Sequence, residues 1–172
     1  AAQYTYYDNI FPSAIKEWSK INSSTGPTTH TYFDGLDRPI QTRIAIEDPN
    51  VFSVKDYKYN KLGLLEKESL PYFSNDSAKT SPTNNGNLYI NYTYDPLGRV
   101  KTLQNTIGAT NYSYDDWKTT IADAENNSKD YFNDAHGNLI KVIEKNEGNN
   151  YITEYQYNGL GKITKIIDAL GN

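Results

Sequence analysis

The sequence has no cysteine, no methionine and only two histidines, His30 and His136. The missing cysteine removes disulfide staples, thiolate nucleophiles and the common structural zinc sites together, and leaves the redox compartment unreadable. Basic residues are also few, 17 Lys and Arg against 21 Asp and Glu for a formal charge of −4, and no two of them are adjacent. A phosphate backbone requires a basic stripe, so no nucleic-acid partner is expected. No run approaches the ~20 apolar residues of a membrane span, and no charged-then-apolar segment opens the chain. Its 172 residues match one ordinary domain, which argues against a multi-domain enzyme. The first residues are Ala1-Ala2-Gln3 rather than Met, from which we expect a mature secreted form or a piece of something longer.

Tyrosine is what the sequence has in quantity. Only 37% of residues are hydrophobic, yet 13% are aromatic and 16 of these are Tyr. A disordered chain lacks such aromatics, whereas a compact globule carries more Leu, Ile and Val. Tyr suits a sheet that is wet on at least one face, because its ring packs while its hydroxyl stays solvated.

The tyrosines recur in phase. Tyr57-Lys58-Tyr59-Asn60, Tyr92-Thr93-Tyr94-Asp95, Tyr112-Ser113-Tyr114-Asp115 and Tyr155-Gln156-Tyr157-Asn158 are copies of aromatic, polar, aromatic, Asx. Thr31-Tyr32-Phe33-Asp34 and Tyr131-Phe132-Asn133-Asp134 are weaker copies. The basic unit is about 20 residues, with insertions in the first half. Most copies run on into Asx first and Gly fourth: Asn60 to Gly63, Asp95 to Gly98, Asp134 to Gly137 and Asn158 to Gly161. The Asx side chain can accept bonds from nearby backbone amides, and Gly takes the left-handed conformation that closes a hairpin with a G1-type bulge. Asp34-Gly35-Leu36-Asp37 and Asp115-Asp116-Trp117-Lys118 depart from this form, so looser or different turns are expected there.

Alternating segments follow the turns, at 64–68, 99–103, 138–143 and 162–167, and end in second turn signals at 48–50, 106–108, 123–126, 146–148 and 168–171. Each unit therefore reads as strand, turn, strand, turn, a continuous antiparallel meander. Both aromatics of each copy are expected on one face, with Tyr stacked over Tyr at the ~4.8 Å strand spacing and stability accumulating repeat by repeat. The best helix candidate, Pro12 to Lys20, fits a strand equally well and leads into a turn at Asn22–Gly26. Residues 1–30 read as irregular, repeats occupy about 31–172, and 71–86 is an insertion loop, either an excursion or a contact site.

The string Tyr92-Thr-Tyr-Asp-Pro-Leu-Gly-Arg-Val100, repeated with variation over nearly the whole chain, resembles the YD repeats of the Rhs family. These occur in bacterial Rhs polymorphic toxins, in the B and C components of insecticidal toxin complexes and in teneurins. The resemblance implies an all-β fold, a curved or spiralling YD-repeat sheet of hairpins that forms part of a shell or solenoid. It further implies a secreted or cell-surface structural module whose partners are more YD repeats, in the same or neighbouring chains, and a toxin cargo. The site residues are then the repeat positions themselves: Tyr57, Tyr59, Asn60, Gly63, Tyr92, Tyr94, Asp95, Gly98, Tyr112, Tyr114, Asp115, Tyr131, Asp134, Gly137, Tyr155, Tyr157, Asn158 and Gly161. Six copies are fewer than a closed shell needs, so a wall segment is expected.

Enzymatic readings find little support. Asp34, Asp95, Asp115, Asp134 and Asp168 open turns, where Asx is wanted for backbone bonding rather than as a glycosidase pair. No EF-hand-like set of oxygen ligands, no triad spacing around His30 or His136 and no GxGxxG is present, so no catalytic residue, metal or cofactor is expected. Two other readings stand beside the structural one. Rows of exposed tyrosine could stack on a glycan or another protein, as in an adhesin. The last residues fall in a turn, so open sheet edges are expected to pair with other chains, into fibres where the contact does not close.

Overall fold

The computed structural model describes residues 2–8, 12–19, 26–48, 50–75, 78–80, 89–146 and 148–172. Among these there is no helix; fifteen antiparallel strands carry the fold. The chain divides into two compact units, Ala1–Asn91 and Tyr92–Asn172.

The first unit contains β1 (Ala2–Tyr7), β2 (Ala14–Ser19), β3 (Thr28–Phe33), β4 (Pro39–Ala45), β5 (Phe52–Tyr59), β6 (Leu65–Ser69) and β7 (Tyr72–Ser74), with the start of β8 (Tyr89–Tyr94). Strands β1 to β6 pair in sequence order, and β8 pairs with β6. Past the kink at Leu70-Pro71, β7 takes the place beside the first half of β5 that β6 has left. Pro71 fits there because proline interrupts a strand and turns it, and lacks the amide a continuing ladder would use. Strands therefore occupy much of the stretch expected to be irregular: β1 and β2 lie within residues 1–30, and Pro12–Lys20 gives a strand. Residues 22–25 of the turn expected at Asn22–Gly26, and residues 76–77 and 81–86 of the insertion expected at 71–86, lie outside the described residues.

Register in this unit places its core on one face. Ala14, Tyr32, Gln41 and Asp56 are neighbours across β2 to β5, and His30, Arg43, Val54 and Tyr72 form the next row. The buried hydrophobic residues of the unit, Ala14, Tyr32, Phe52 and Val54, all lie there. Alternation then puts Tyr57 and Tyr59 on the opposite face.

The second unit runs from the end of β8 through β9 (Val100–Gln104), β10 (Ala109–Asp115), β11 (Lys118–Ala122), β12 (Ser128–Asn133), β13 (Leu139–Asn146), β14 (Asn149–Tyr157) and β15 (Ile163–Ile167), with β9 to β15 paired in sequence order. This is the expected meander of hairpins.

The expected tyrosine stack does not form at one-strand spacing. Aromatic repeats occupy alternate strands, so a return strand separates them and the repeat distance is about 9.6 Å, twice the strand spacing. Tyr112 faces Ile121, Tyr131 faces Val142, Tyr155 faces Ile166 and Tyr157 faces Ile163. Aromatic on β-branched pairs of this kind contribute roughly 0.2–1 kcal/mol each. The two weaker copies also split their aromatics between faces. Tyr32 lies in the buried row while Thr31 and Phe33 point the other way, and Phe132 is on the face opposite Tyr131.

Candidate functional site

The repeated feature is a turn and the latch it offers the next hairpin. Starting at Asp95, its N–H donates to the Arg99 carbonyl at 2.9 Å and its carbonyl accepts from the Gly98 N–H at 3.0 Å. The Asp95 carboxylate accepts the N–H groups of Leu97 and Arg99, both at 2.9 Å. Gly98 closes the loop at φ 78°. This is the three-residue hairpin loop with a left-handed closing residue that the Asx-to-Gly spacing predicts. Identical bonding recurs at Asn60–Leu64, Asp134–Asn138 and Asn158–Lys162, closed by Gly63, Gly137 and Gly161.

Three further turns adopt the same geometry. Asp34–Arg38 does so with Asp37 at φ 57°, where a looser turn was expected. Asp123–Asn127 does so with Asn126 at φ 65°, and Asp168–Asn172 with Gly171, although both read as members of a second turn class. Asp and Asn tolerate the left-handed region better than other side-chain-bearing residues, which lets them stand where Gly was expected. Asp115 behaves as its sequence suggests and opens a different, tighter turn, with Asp115 opposite Lys118 and Asp116 at φ 49°.

These carboxylates are committed to their own loops. Asp34 is held below the usual carboxylate range first by the Arg38 side chain, Asp123 by Asn127 and Asp134 by Asn138. At Asp168 the Asn172 amide leads. For Asp95, desolvation pushes upward, but bonds from the backbone and guanidinium of Arg99 and from Leu97 together outweigh it.

The latch connects successive hairpins. The last tyrosine of the motif donates its hydroxyl to the first carbonyl of the preceding return strand: Tyr59 to Pro39 at 3.0 Å, Tyr114 to Val100 at 2.8 Å and Tyr157 to Leu139 at 2.8 Å. In two cases an arginine completes it. Arg38 bonds Asp34 at 2.6–2.8 Å and lies 4.6 Å from the Tyr59 ring centroid; Arg99 bonds Asp95 at 2.7 Å and lies 4.2 Å from that of Tyr114. One guanidinium thus ties a turn to the tyrosine of the next repeat, by ion pair on one side and cation–π contact on the other. Asn138 replaces arginine in the third case, bonding Asp134 at 2.9 Å. Tyr92 and Tyr94 are half-buried, and burial pushes the Tyr94 hydroxyl up.

A second cluster was not foreseen. Arg43 is fully buried (0% exposed), with Gln41 and Asp56 nearly so. The Arg43 guanidinium donates to Gln41 Oε1 at 2.9 Å, Thr80 Oγ1 at 3.1 Å and Ser74 Oγ at 2.7 Å. Gln41 Nε2 donates to Asp56 Oδ1 at 2.6 Å and to the Thr80 carbonyl at 3.0 Å, while its Oε1 accepts the Thr80 N–H at 3.3 Å. Tyr72 donates to Asp56 Oδ2 at 2.7 Å, and burial followed by that carboxylate raises the phenol strongly. Residues 72–74 and 80 of the insertion are therefore bound to the buried face of β4 and β5. The alternation Phe52, Val54, Asp56 opposite Gln41, Arg43 was the available signal: it marks a buried face that carries polar groups.

In the second unit, a groove of about 540 Å³ lies on the tyrosine face, walled by Ile121, Tyr131 and Tyr151 with the Lys129–Glu144 ion pair across it. Among the described residues no group of three or more His, Asp or Glu is placed to hold a metal, and no helix is long and apolar enough to cross a membrane.

Fold and site together define an all-β repeat protein whose recurring residues link neighbouring hairpins within each unit. The chain belongs to the Rhs/YD-repeat family: residues 134–172 match the model described as RHS Repeat, and residues 7–116 match the model described as Domain of unknown function (DUF6443). Its fold is similar to a TcdB2-TccC3 crystal structure lacking the hypervariable C-terminal region, with TM-score 0.70, 18% identity and coverage of 92% of this chain and 10% of that one. It is similar to TcdB2-TccC3-Cdc42 (TM-score 0.71, 18% identity, 92% and 10% covered). The Photorhabdus luminescens Tc holotoxin pore gives TM-score 0.71 at 16% identity, with 95% and 10% covered. The chain thus spans about a tenth of the length of the chains it matches.

Proposed function

We propose that this chain is a non-enzymatic structural module, a wall segment of a secreted β-shell made of Rhs repeats, with further repeats as its neighbours and a toxin-like cargo as what the shell encloses. The observation that carries this reading is the sevenfold recurrence of one turn, with a latch to the next hairpin. The turn carboxylates are spent on backbone amides, and Tyr59, Tyr114 and Tyr157 on neighbouring carbonyls. Electron microscopy and small-angle scattering of the native polypeptide that carries this chain test it. A hollow particle is the expected result; a solid globule, or a hydrolase activity abolished by Asp95→Asn in a folded variant, refutes it.

One observation favours a second reading, a glycan-binding surface. The groove beside Tyr131 and Tyr151 has the volume of a small-ligand site and aromatic walls with polar groups between them. Binding to a glycan array that disappears in Tyr151→Ala, with the melting temperature unchanged, is the expected outcome on this reading. Retention of binding in that variant removes it.

A further inference from the structure

The core of the first unit is densest over β4 and β5, and the same face of β1 to β3 carries side chains that the core does not use. Register sets Tyr7 beside Ala14 and Tyr32, Thr5 beside Lys16 and His30, and Gln3 beside Trp18 and Thr28. Two hollows open on this face. One, of about 250 Å³, is lined by the small, buried Ala14, by Tyr7 and Tyr32, and by Ala78 of the insertion. The other, of about 430 Å³, is lined by Gln3, Thr5, Trp18 and Thr28. Tyr7 and Lys16 line both, so the two hollows form one cleft.

The charge of this cleft runs against that of the chain. The sequence carries −4 overall, yet one row across β2, β3 and β4 is Lys16, His30 and Arg43. Among the described residues no Asp or Glu lies on this face of β1 to β4. Glu17 is on the opposite face, where it accepts from the Tyr4 hydroxyl. The His30 ring stands edge-on to Phe52 at 5.7 Å, and Arg43 is buried beneath Ser74 and Thr80 of the insertion. Lys16 is the half-buried cation that lines the cleft, and among the described residues it forms no ion pair. A half-buried ammonium has lost part of its hydration, and an arriving anion restores what it has lost.

The spacing says what kind of anion fits. Ala14, beside Tyr7, is four residues from Trp18 along β2, so the two aromatic positions are about 13 Å apart along the strand, with Lys16 midway. Aromatic faces accept the C–H face of a pyranose, and Gln3, Thr5 and Thr28 supply donors and acceptors for sugar hydroxyls. A nucleotide fits less well: no helix N-terminus is present among the described residues to hold its phosphate, and the one guanidinium of the face is engaged by the insertion. We infer that the cleft over β1 to β3 binds an acidic oligosaccharide, with a sugar carboxylate on Lys16 and the flanking sugar rings against Tyr7 and Trp18. The inference rests neither on the shell reading nor on the groove beside Tyr131 and Tyr151, which belongs to the other unit.

Calorimetric titration of the intact chain with trigalacturonate and with sialyllactose tests it, each beside its methyl ester, which keeps the rings and removes the charge. At least one acid is expected to bind with Kd between about 10 µM and about 1 mM, and its ester about tenfold more weakly. Lys16→Gln is expected to lose the same tenfold for the acid and nothing for the ester, with circular dichroism unchanged, whereas Trp18→Ala weakens both. Trp117→Phe leaves Trp18 as the single tryptophan, and a change in its fluorescence is expected to saturate with the calorimetric binding. No binding of either acid up to about 10 mM overturns the proposal, and so does binding that Lys16→Gln leaves intact or that Trp18 does not sense. Loss of binding in Tyr151→Ala places the sugar in the other groove. Equal affinity for triglutamate shows that charge alone is read, and tighter binding of UMP shows a nucleotide site; each of these three results also overturns it.

Discussion

Gly137 separates backbone strain from packing. It closes the Asp134 turn at φ 83°, and a Cβ built on it meets nothing within 4 Å. Any cost of Gly137→Ala therefore comes from the left-handed backbone, roughly 1–2 kcal/mol, less the ~0.4–1 kcal/mol gained because alanine restricts the unfolded chain. The net is a loss of about 1 kcal/mol. Gly137→Val is expected to lose about 2 kcal/mol because branching at Cβ crowds the same backbone further. Gly137→Asn is expected to lose no more than a few tenths, since asparagine tolerates this region and Asn126 and Asp37 already hold the equivalent place at φ 65° and 57°. For a chain of this length 1 kcal/mol corresponds to about 3 °C in melting temperature, well within reach of calorimetry.

Gly108 supplies the opposite case. It lies outside the positive-φ set, but its Cβ would stand 2.3 Å from the Ala124 Cβ, so something must move. Gly108→Ala is expected to lose about 1–3 kcal/mol by overpacking, and Gly108→Asn more, because the added atoms must share the same space. The ranking of Ala and Asn therefore reverses between the two glycines. Equal melting temperatures for Gly137→Ala and wild type, or Asn as costly as Val at 137, refute the turn assignment.

Other perturbations follow from the same geometry. Tyr114→Phe removes the bond to the Val100 carbonyl while keeping the ring beside Arg99; a loss of about 1 kcal/mol in urea unfolding is expected, and no change means the latch is incidental. Arg43→Ala should cost about 3 kcal/mol through lost packing and three broken hydrogen bonds, and Arg43→Lys should recover little because a point charge cannot replace the fork; full recovery by lysine contradicts the proposed role. Asp34, Asp95, Asp123, Asp134 and Asp168 all have folded-state pKa values below the ordinary 3.8, so the stability they add is present above that value and lost as pH falls further. Replacing the five by asparagine, already present at Asn60 and Asn158, should flatten the melting temperature below about pH 4, and a profile as steep as wild type rejects this.

What could be read from the sequence was whatever is encoded within a few residues. The turns at Asn60, Asp95, Asp134 and Asn158 were legible because an Asx acceptor and a left-handed closer lie within one loop. The strands were legible because alternation has its own period. Spacing alone misled where a return strand intervenes: Tyr112 and Tyr131 are successive in the motif, but β11 lies between their strands, so the tyrosines do not stack directly. Arg99 was visible in the repeated string, yet its contact with Tyr114 depends on how one hairpin meets the next. Arg43 was hidden more completely. Flanked by Thr42 and Ile44, it looks like a solvent-facing strand residue; its burial comes from Ser74 and Thr80, more than thirty positions later.

The same distinction accounts for how far the sequence can diverge while the fold persists. One turn requires an Asx to accept two amides and a residue able to hold positive φ three places on; an aromatic before the Asx, as at Asp34, Asn60, Asp95 and Asn158, and a hydrogen-bonding residue four places on strengthen it. Everything else need only alternate, and alternation is met by Ile, Val, Thr or Tyr with little preference. Few positions in a unit of about twenty are constrained in this way, and similar structures hold the fold at 16–18% identity to this chain. The demand at the closing position is conformational rather than chemical, since Gly98, Asp37 and Asn126 all satisfy it. Asx as acceptor is likewise met by either Asp or Asn. Identity therefore understates the constraint: a match scored on φ at the closer and on acceptor chemistry at the first position follows what this backbone requires more closely than one scored on residue names.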